Sequence, residues 1–375
     1  MRIGVSRCLL GVRCRYDGRS KPCAVLASEL GKYAKVVDVC PELDCGLGCP
    51  RVAVDLYDCA GDGIRMISKE GVDVTGRMRK WLEKIMPSLR NLDGFILKAR
   101  SPSCGLGNTC LRSEGNGYVD GLFTAALKKA YPKLPLVDES RFTDAESVAS
   151  FVSELKGKSL LRRVESGVRE LLSNSPACHD WDHTLRVYNN ARRIMSMLEP
   201  DQEFDELMVA VASLMHDIGR SKELQDEGKT NHAAYGAELA PGLLRKWGAD
   251  DERWIQNVAD CIRSHRFRKR DGNQSPNTLE AKIVFDADKL DSIGAIGIGR
   301  SFHFAGRVGA RVHNTESEAL NSKSYSVNDS AYREYLVKLR NVHQRMLTEP
   351  GRKLAEKRHE FMVGFFDVLN QETED

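Results

Sequence analysis

The sequence predicts two domains of different class: an α/β domain with a mostly parallel sheet over residues 1–155, and an all-α domain over residues 157–375. Three observations carry this expectation. A chain of 375 residues is too long for one typical domain. Its front part alternates short apolar runs with helical stretches, whereas its back part keeps apolar spacings of three and four throughout. Third, nine of the eleven cysteines fall between Cys8 and Cys110, while all nine histidines stand at or after His179. Clustered cysteines in a reducing compartment read as metal or cofactor ligands rather than disulfides. The two halves therefore imply thiolate ligation in front and imidazole–carboxylate ligation behind.

Composition narrows the partners. A chain that is 41% hydrophobic and 29% charged is ordinary for a soluble protein, and a net charge of +3 is too small to argue for specific nucleic-acid or membrane binding. No run approaches the roughly 18 apolar residues of a membrane helix. The N-terminus opens into a strand-like run without a signal peptide, so the expected location is cytoplasmic and the expected partners are small molecules.

In the front part, Ile3-Gly-Val-Ser leads to Cys8, Val36-Val-Asp-Val39 to Cys40, and Gly94-Phe-Ile-Leu97 to Cys104. Helical stretches at Ala24–Tyr33 and Met78–Met86 separate these runs, the pattern of a parallel sheet with crossovers. Loops at the carboxyl ends of parallel strands form the site in such sheets, so the three cysteines should converge. Gly11, Gly18, Gly46, Gly48, Gly105 and Gly107 flank them and permit close backbone approach. Cys23 and Cys59 stand outside these loops and read as small buried hydrophobes. The stretch from Cys40 to Cys49 lacks C-x-x-C pairs, which makes a structural zinc scaffold the weaker inorganic alternative.

Cys8-Leu-Leu-Gly11, Arg15-Tyr-Asp-Gly18, Cys40-Pro-Glu42, Gly46-Leu47 with Pro50-Arg51, and Lys98-Ala-Arg-Ser-Pro-Ser-Cys-Gly105 together resemble the thiouracil desulfurase family. The resemblance spans nearly all of residues 1–145. It implies a 4Fe–4S cluster on Cys8, Cys40 and Cys104, whose fourth iron would take the sulfur of a thiolated pyrimidine. It further implies Glu42 as proton shuttle, with Ser101 or Ser103 positioning the base or water. Cys14, Cys45, Cys49 and Cys110 are additional cysteines, and one of them on the open iron would seal the cluster.

At the junction, Thr143-Asp-Ala-Glu146 matches a capping box and opens a helix expected to end near Leu155, before Gly157. A further helix runs from Leu160 through Val164, Val168, Leu171 and Leu172 to Pro176.

The back part is organised around Val209-Ala-Val-Ala-Ser-Leu-Met-His-Asp-Ile-Gly-Arg220, a helix apolar on nearly every face. Ending such a helix in His216-Asp217 requires partners, because polar groups are costly to bury unpaired. A divalent cation is one partner; a buried His–Asp hydrogen bond is the alternative for an isolated dipeptide. His216-Asp217 is not isolated: His183 precedes it, and His232, His265 and Asp288 follow. His183 and Arg186 share a helix face, so a ligand and a phosphate-binding cation would point together.

This order resembles the HD-domain metal-dependent phosphohydrolases, closest to small nucleotide pyrophosphohydrolases. The resemblance rests on His179-Asp-Trp with His183, on Phe285-Asp-Ala-Asp-Lys-Leu-Asp-Ser through Arg300, and on Ala355-Glu-Lys-Arg-His-Glu-Phe361. It implies His183, His216, Asp217 and Asp288 as metal ligands, with Asp286 and Asp291 as the candidates to support those ligands from behind. Asp217 could also take the proton of the attacking water. His232 and His265 are implied as acid, phosphate contact or second-metal ligands, and Arg186 and Lys222 as phosphate contacts. Manganese, magnesium or another divalent ion suits the set.

Residues Ala305 to Ser330 are polar and without period, which predicts a long loop acting as a lid. Helices follow at Tyr335–Leu347 and Leu354–Leu369. The stripe of Phe361, Met362, Phe365, Phe366 and Leu369 reads first as core and second as a homodimer face. The whole predicts a bifunctional enzyme of nucleobase or nucleotide metabolism, desulfurating a thiolated pyrimidine in front and hydrolysing a nucleotide phosphate ester or anhydride behind. The alternative is an iron–sulfur or thiol sensor that regulates the hydrolase.

Overall fold

The computed structural model describes residues 1–59, 63–112, 117–173, 181–226, 229–266 and 275–373. Pro176 and His179, part of the expected helix end and motif, lie outside them. The chain forms two compact units, Met1–Ser159 and Leu160–Asp375.

The first unit holds two four-stranded sheets. One joins β1 (Arg2–Ser6), β2 (Lys35–Val39), β5 (Gly94–Leu97) and β8 (Leu136–Asp138) in the order β2-β1-β5-β8, with every pairing parallel. Its central strand β5 is buried along its whole length, which is why it reads as an unbroken apolar run. Helices α1 (Ala24–Glu29) and α3 (Leu122–Ala130) lie on the β1–β2 and β5–β8 crossovers, and α2 (Thr75–Ile85) packs in the same unit. Phe95 of β5 meets Phe123 of α3 edge to face at 5.2 Å, an arrangement that adds about 1 kcal/mol to the burial of the two rings.

The second sheet, which the sequence reading did not anticipate, joins β3 (Val54–Cys59), β4 (Gly63–Ser68), β6 (Thr109–Arg112) and β7 (Gly117–Val119) in the order β4-β3-β6-β7. Two antiparallel hairpins meet there through one parallel pairing, β3 with β6. The hairpin strands are short and partly polar, so their period of two is hard to separate from loop.

The junction differs from expectation in two respects. Asp144 caps the helix, its carboxylate accepting from the Ser147 N–H at 2.8 Å, in place of the Thr143–Glu146 box. The helix α4 (Ala145–Leu171) continues through Gly157 without a break. Val148, Phe151 and Leu155 serve the core of the first unit and Leu160, Val164 and Val168 that of the second, and this double burial offsets the roughly 1 kcal/mol cost of an interior glycine.

The second unit is entirely helical among the described residues. It comprises α5 (Trp181–Met195), α6 (Glu206–Met215), α7 (Arg220–Gln225), α8 (His232–Lys246), α9 (Glu252–Ser264), α10 (Leu279–Leu290), α11 (Gly294–Arg307), α12 (Glu316–Leu320), α13 (Ala331–Val337) and α14 (Glu349–Gln371). Every residue of α6 from Met208 to Met215 is buried. The Asp205 carboxylate caps α6 at the Met208 N–H, and Trp254 of α9 donates to its other oxygen at 2.7 Å.

The expected loop 305–330 is instead partly helical: α11 runs to Arg307, and Thr315 and Glu318 form a capping box on α12. Polar, capped short helices carry no apolar period to announce them. In the last helix Met362 and Phe366 are buried, but Phe361 is 56% exposed and does not belong to the core stripe.

Asp286 is a structural anchor. Its carboxylate is fully buried and accepts from the Leu347 and Thr348 N–H groups, both at 2.8 Å, and from the Thr348 hydroxyl at 2.6 Å, tying α10 to the start of α14. Asp286→Ala would strand three buried donors and is expected to cost about 3 kcal/mol, read as a lower urea midpoint for the helical unit.

Candidate metal centres

The ends of five helices bring the predicted histidines and aspartates together. His183 sits in the first turn of α5, His216 and Asp217 follow α6, His232 opens α8 under the Asn231 cap, His265 closes α9, and Asp288 stands in the last turn of α10. All four histidines and Asp217 are at most 1% exposed.

The histidines form two facing pairs. His183 and His216 place their Nε2 atoms 3.2 Å apart, and His232 and His265 do the same at 3.2 Å. Asp217 stands between the pairs. Its Oδ2 is 3.6 Å from His183 Nε2 and 3.8 Å from His216 Nε2, while its Oδ1 is 3.2 Å from His232 Nε2 and 3.7 Å from His265 Nε2. Asp288 Oδ1 joins the first pair at 3.7 and 3.9 Å. Two ligand triads, His183–His216–Asp217 and Asp217–His232–His265, thus share one carboxylate.

The outer nitrogens fix the tautomers. His216 Nδ1 donates to the Ser213 carbonyl at 2.8 Å and His265 Nδ1 to the Ile262 carbonyl at 2.6 Å. A carbonyl only accepts, so each ring carries its proton outside and turns a lone pair inward at Nε2. His183 Nδ1 meets Asp291 at 2.7 Å and His232 Nδ1 meets Glu223 at 2.8 Å, the arrangement in which a carboxylate orients a ligating imidazole. Lone pair facing lone pair at 3.2 Å is repulsive, and a cation between them removes the conflict. The donor set therefore fits divalent metal.

Burial holds His216 and His265 below the usual histidine range, in the neutral ligand form. Burial also acts on His183, yet Asp217 and Asp291 outweigh it and raise that ring. Burial would raise Asp288, but Lys289 and the histidines pull it well below the ordinary carboxylate value.

Asp291, a supporting candidate in the sequence, and Glu223, which the sequence reading did not name, are each clamped by two arginines. Arg186 and Arg300 reach Asp291 at 2.7 Å each; Arg220 reaches Glu223 at 2.6 Å and Arg266 at 2.5 Å. Arg186, expected as a phosphate contact, is thus engaged with Asp291. Lys222 is exposed on α7. Of the two orienting carboxylates, the one the sequence reading missed is Glu223, and its spacing of six residues beyond Asp217 is the only signal that could have found it.

Burial pushes Glu223 up, but His232, Arg220 and Arg266 together bring it down to about 2 from 4.5. A depressed folded value means stability that is present above about 4.5 and lost as pH falls toward 2. Glu223→Gln is expected to flatten the urea-stability profile across that window and to weaken metal binding by about 10–100-fold.

In the first unit, Cys8 follows β1 in a 3₁₀ turn, Cys40 follows β2, and Cys104 lies in the loop after β5. These are the carboxyl ends of neighbouring parallel strands. Gly121 lets the Cys104 loop close, since a Cβ there would fall 2.4 Å from the Ser103 carbonyl carbon. The Lys98 N–H donates to Ser6 Oγ at 2.9 Å and joins the ends of β1 and β5. Burial, with Glu42 and Cys40 close by, pushes the Cys104 thiol up to about 12.

Glu42 accepts from the Ser103 hydroxyl at 2.9 Å and from Arg51 Nη2 at 2.6 Å. Arg51, quoted only as part of a motif, also donates to the Cys14 and Gly48 carbonyls at 3.0 and 2.9 Å. Ser101 Oγ accepts from the Ser103 and Cys104 N–H groups, which shapes the turn. Three cysteines at neighbouring strand ends, with a carboxylate held by an arginine beside Ser103, are a donor set of the kind the implied cluster on Cys8, Cys40 and Cys104 needs.

These features define the class: a helical domain with two buried His–Asp triads able to hold metal, following an α/β domain with cysteines at the ends of its parallel strands. The 2-thiouracil desulfurase family matches residues 3–139 and the HD domain residues 180–293. The chain belongs to the 2-thiouracil desulfurase family in its N-terminal part and to the HD-domain family in its C-terminal part. It is 31% identical over 211 residues to YpgQ of Bacillus subtilis (strain 168), covering 56% of this chain and 92% of that protein. The crystal structure of YpgQ in complex with ADP gives a TM-score of 0.44 at 28% identity, covering 58% of this chain and 96% of that one. YbbK of the same organism is 33% identical over 110 residues, covering 28% of this chain and 72% of that protein. The [4Fe-4S]-dependent thiouracil desulfidase TudS gives a TM-score of 0.33 at 29% identity, covering 40% of this chain and 97% of that one. Among the described residues no helix is long and apolar enough to cross a membrane.

Proposed function

We propose that the chain is a bifunctional enzyme of nucleobase and nucleotide metabolism, with boundaries near residue 155. The C-terminal domain would hydrolyse a nucleotide phosphate ester or anhydride, and the N-terminal domain would remove sulfur from a thiolated pyrimidine. The observation that carries the first activity is Asp217, which offers one oxygen to each facing pair of histidines. His183, His216 and Asp288 would hold one divalent ion, His232 and His265 a second, and Asp217 would bridge them. This assigns His232 and His265 to ligation in preference to acid catalysis. Ions held there would supply Lewis acidity toward a phosphoryl oxygen and the attacking water. Asp291 and Glu223 keep the ligand rings aimed, and the four arginines hold those carboxylates ionised. Four imidazoles favour manganese or another borderline ion over magnesium. The adenine nucleotide held by YpgQ agrees with this substrate class.

For the second activity, a cluster on Cys8, Cys40 and Cys104 would supply a soft iron suited to sulfur. Glu42, fixed by Arg51 and Ser103, would move the proton between water and base, and Ser103 would help position the water. The test is a panel of nucleoside mono-, di- and triphosphates with manganese, read by product analysis, alongside sulfide release from 2-thiouracil by the anaerobically reconstituted protein. Hydrolysis only of non-nucleotide phosphates, or sulfide release independent of iron, would refute the respective half.

A further inference from the structure

One residue of the motif Ala355-Glu-Lys-Arg-His-Glu-Phe361 stands outside the ligand set yet lies against a helix that serves it. Arg358, partly buried on α14, donates from Nη1 to the Leu290 carbonyl and from Nη2 to Asn190 Oδ1 at 2.8 Å. Asn190 is buried on α5, the helix that carries His183, and its Nδ2 donates to the Ala287 carbonyl at 3.0 Å. Ala287 and Leu290 bracket Asp288 in the last turn of α10. A helix leaves its last four carbonyls without intrahelical partners. In α10 the Asp288 and Lys289 carbonyls accept from the Asp291 and Ser292 N–H groups at 3.1 and 3.0 Å, inside the turn itself. Asn190 takes the Ala287 carbonyl, and Arg358 takes that of Leu290 beside the Ile293 N–H at 3.5 Å, so these two side chains tie the turn to α5 and α14. Gly294 leaves the arginine its place: φ there is +75°, and a Cβ would stand 3.0 Å from Arg358 Cβ.

We propose that Arg358, acting with Asn190, is a positioning residue for one half of the metal centre: it holds the carboxyl end of α10 so that Asp288 faces His183 and His216. The inference rests on the two-ion reading above. Asp288 Oδ1 stands 3.7 and 3.9 Å from the Nε2 atoms of His183 and His216, and Asp291, next after Leu290, meets His183 Nδ1 at 2.7 Å. Both carboxylates therefore move with the turn that Arg358 and Asn190 hold. The triad of Asp217, His232 and His265 takes no ligand from α10, so the effect falls on one ion. Both acceptors of Arg358 are neutral, and the negative end of the helix dipole, about half an elementary charge, gives the cation its electrostatic reason to lie there. A planar guanidinium reaches the Leu290 carbonyl and Asn190 with two N–H groups in fixed relation, whereas a lysine offers a point charge on a flexible stem.

The test measures manganese affinity of the full-length protein by EPR titration in two backgrounds. His265→Ala leaves the ion proposed for His183, His216 and Asp288, and His183→Ala leaves the other. Arg358→Lys and, separately, Asn190→Ala are added to each. The expected result for either addition is an affinity about 10–100-fold weaker in the first background and unchanged in the second. Unchanged affinity in both backgrounds overturns the proposal. An equal loss in both also overturns it, and a lower urea midpoint beside that loss makes the pair a support of the whole helical unit. A parent variant that binds no manganese refutes the two-ion reading instead.

Discussion

Asp217→Asn is expected to lower phosphate hydrolysis by at least about 10³-fold, roughly 4 kcal/mol of transition-state stabilisation. The reason is geometric. An amide presents one oxygen where the carboxylate presents two, and each carboxylate oxygen of Asp217 faces a different histidine pair. The substitution also leaves Arg220, 3.3 Å from Asp217 Oδ1, facing a neutral group. Manganese titration followed by EPR should show a coupled pair of ions in wild type and no coupled pair in Asp217→Asn. His265→Ala removes a ligand from one triad alone, so it is expected to keep the His183–His216–Asp288 ion. A single uncoupled ion in wild type would remove the bridging role.

Cys40→Ala is expected to abolish iron binding and sulfide release while leaving phosphate hydrolysis unchanged. Cys40 lies at the end of β2 in the first unit, and the ligands proposed for the divalent ions lie in the second. The complementary substitution is Glu42→Gln, which should keep the iron and lower sulfide release by about 10²–10⁴-fold, the usual contribution of a positioned proton carrier. Absorbance of the reconstituted protein and a sulfide assay separate the two variants. Equal iron loss in both would make Glu42 part of the cluster's support instead of a proton carrier.

Much of this was legible because ligand chemistry leaves marks that spacing preserves. The apolar runs ending in Cys8 and Cys40 became β1 and β2 of a parallel sheet, and the buried helix ending in His216-Asp217 became α6. Glu223 was not legible as an orienting group, since a carboxylate that turns an imidazole looks in sequence like any charged residue on a helix, whereas Asp291 stood in a motif that already made it a supporting candidate. Arg51 was hidden for the same reason: its meaning lies in reaching Glu42 across a turn built on glycines of positive φ, Gly46 and Gly48. The segment around α12 was misread because short capped helices without an apolar stripe resemble loop. Asp288 was chosen over Asp286 from its place in one motif; tertiary structure adds that Asp286 anchors the residues leading into α14 instead of supporting the histidines.

The most direct measurement is anaerobic analysis of iron, inorganic sulfide and manganese in full-length wild type, Cys40→Ala and Asp217→Asn loaded side by side. Two independent inorganic centres predict iron and sulfide in wild type and Asp217→Asn but not in Cys40→Ala, with manganese at full occupancy in wild type and Cys40→Ala and depleted in Asp217→Asn. Iron retained by Cys40→Ala, or manganese retained in full by Asp217→Asn, would contradict the assignment of the corresponding centre.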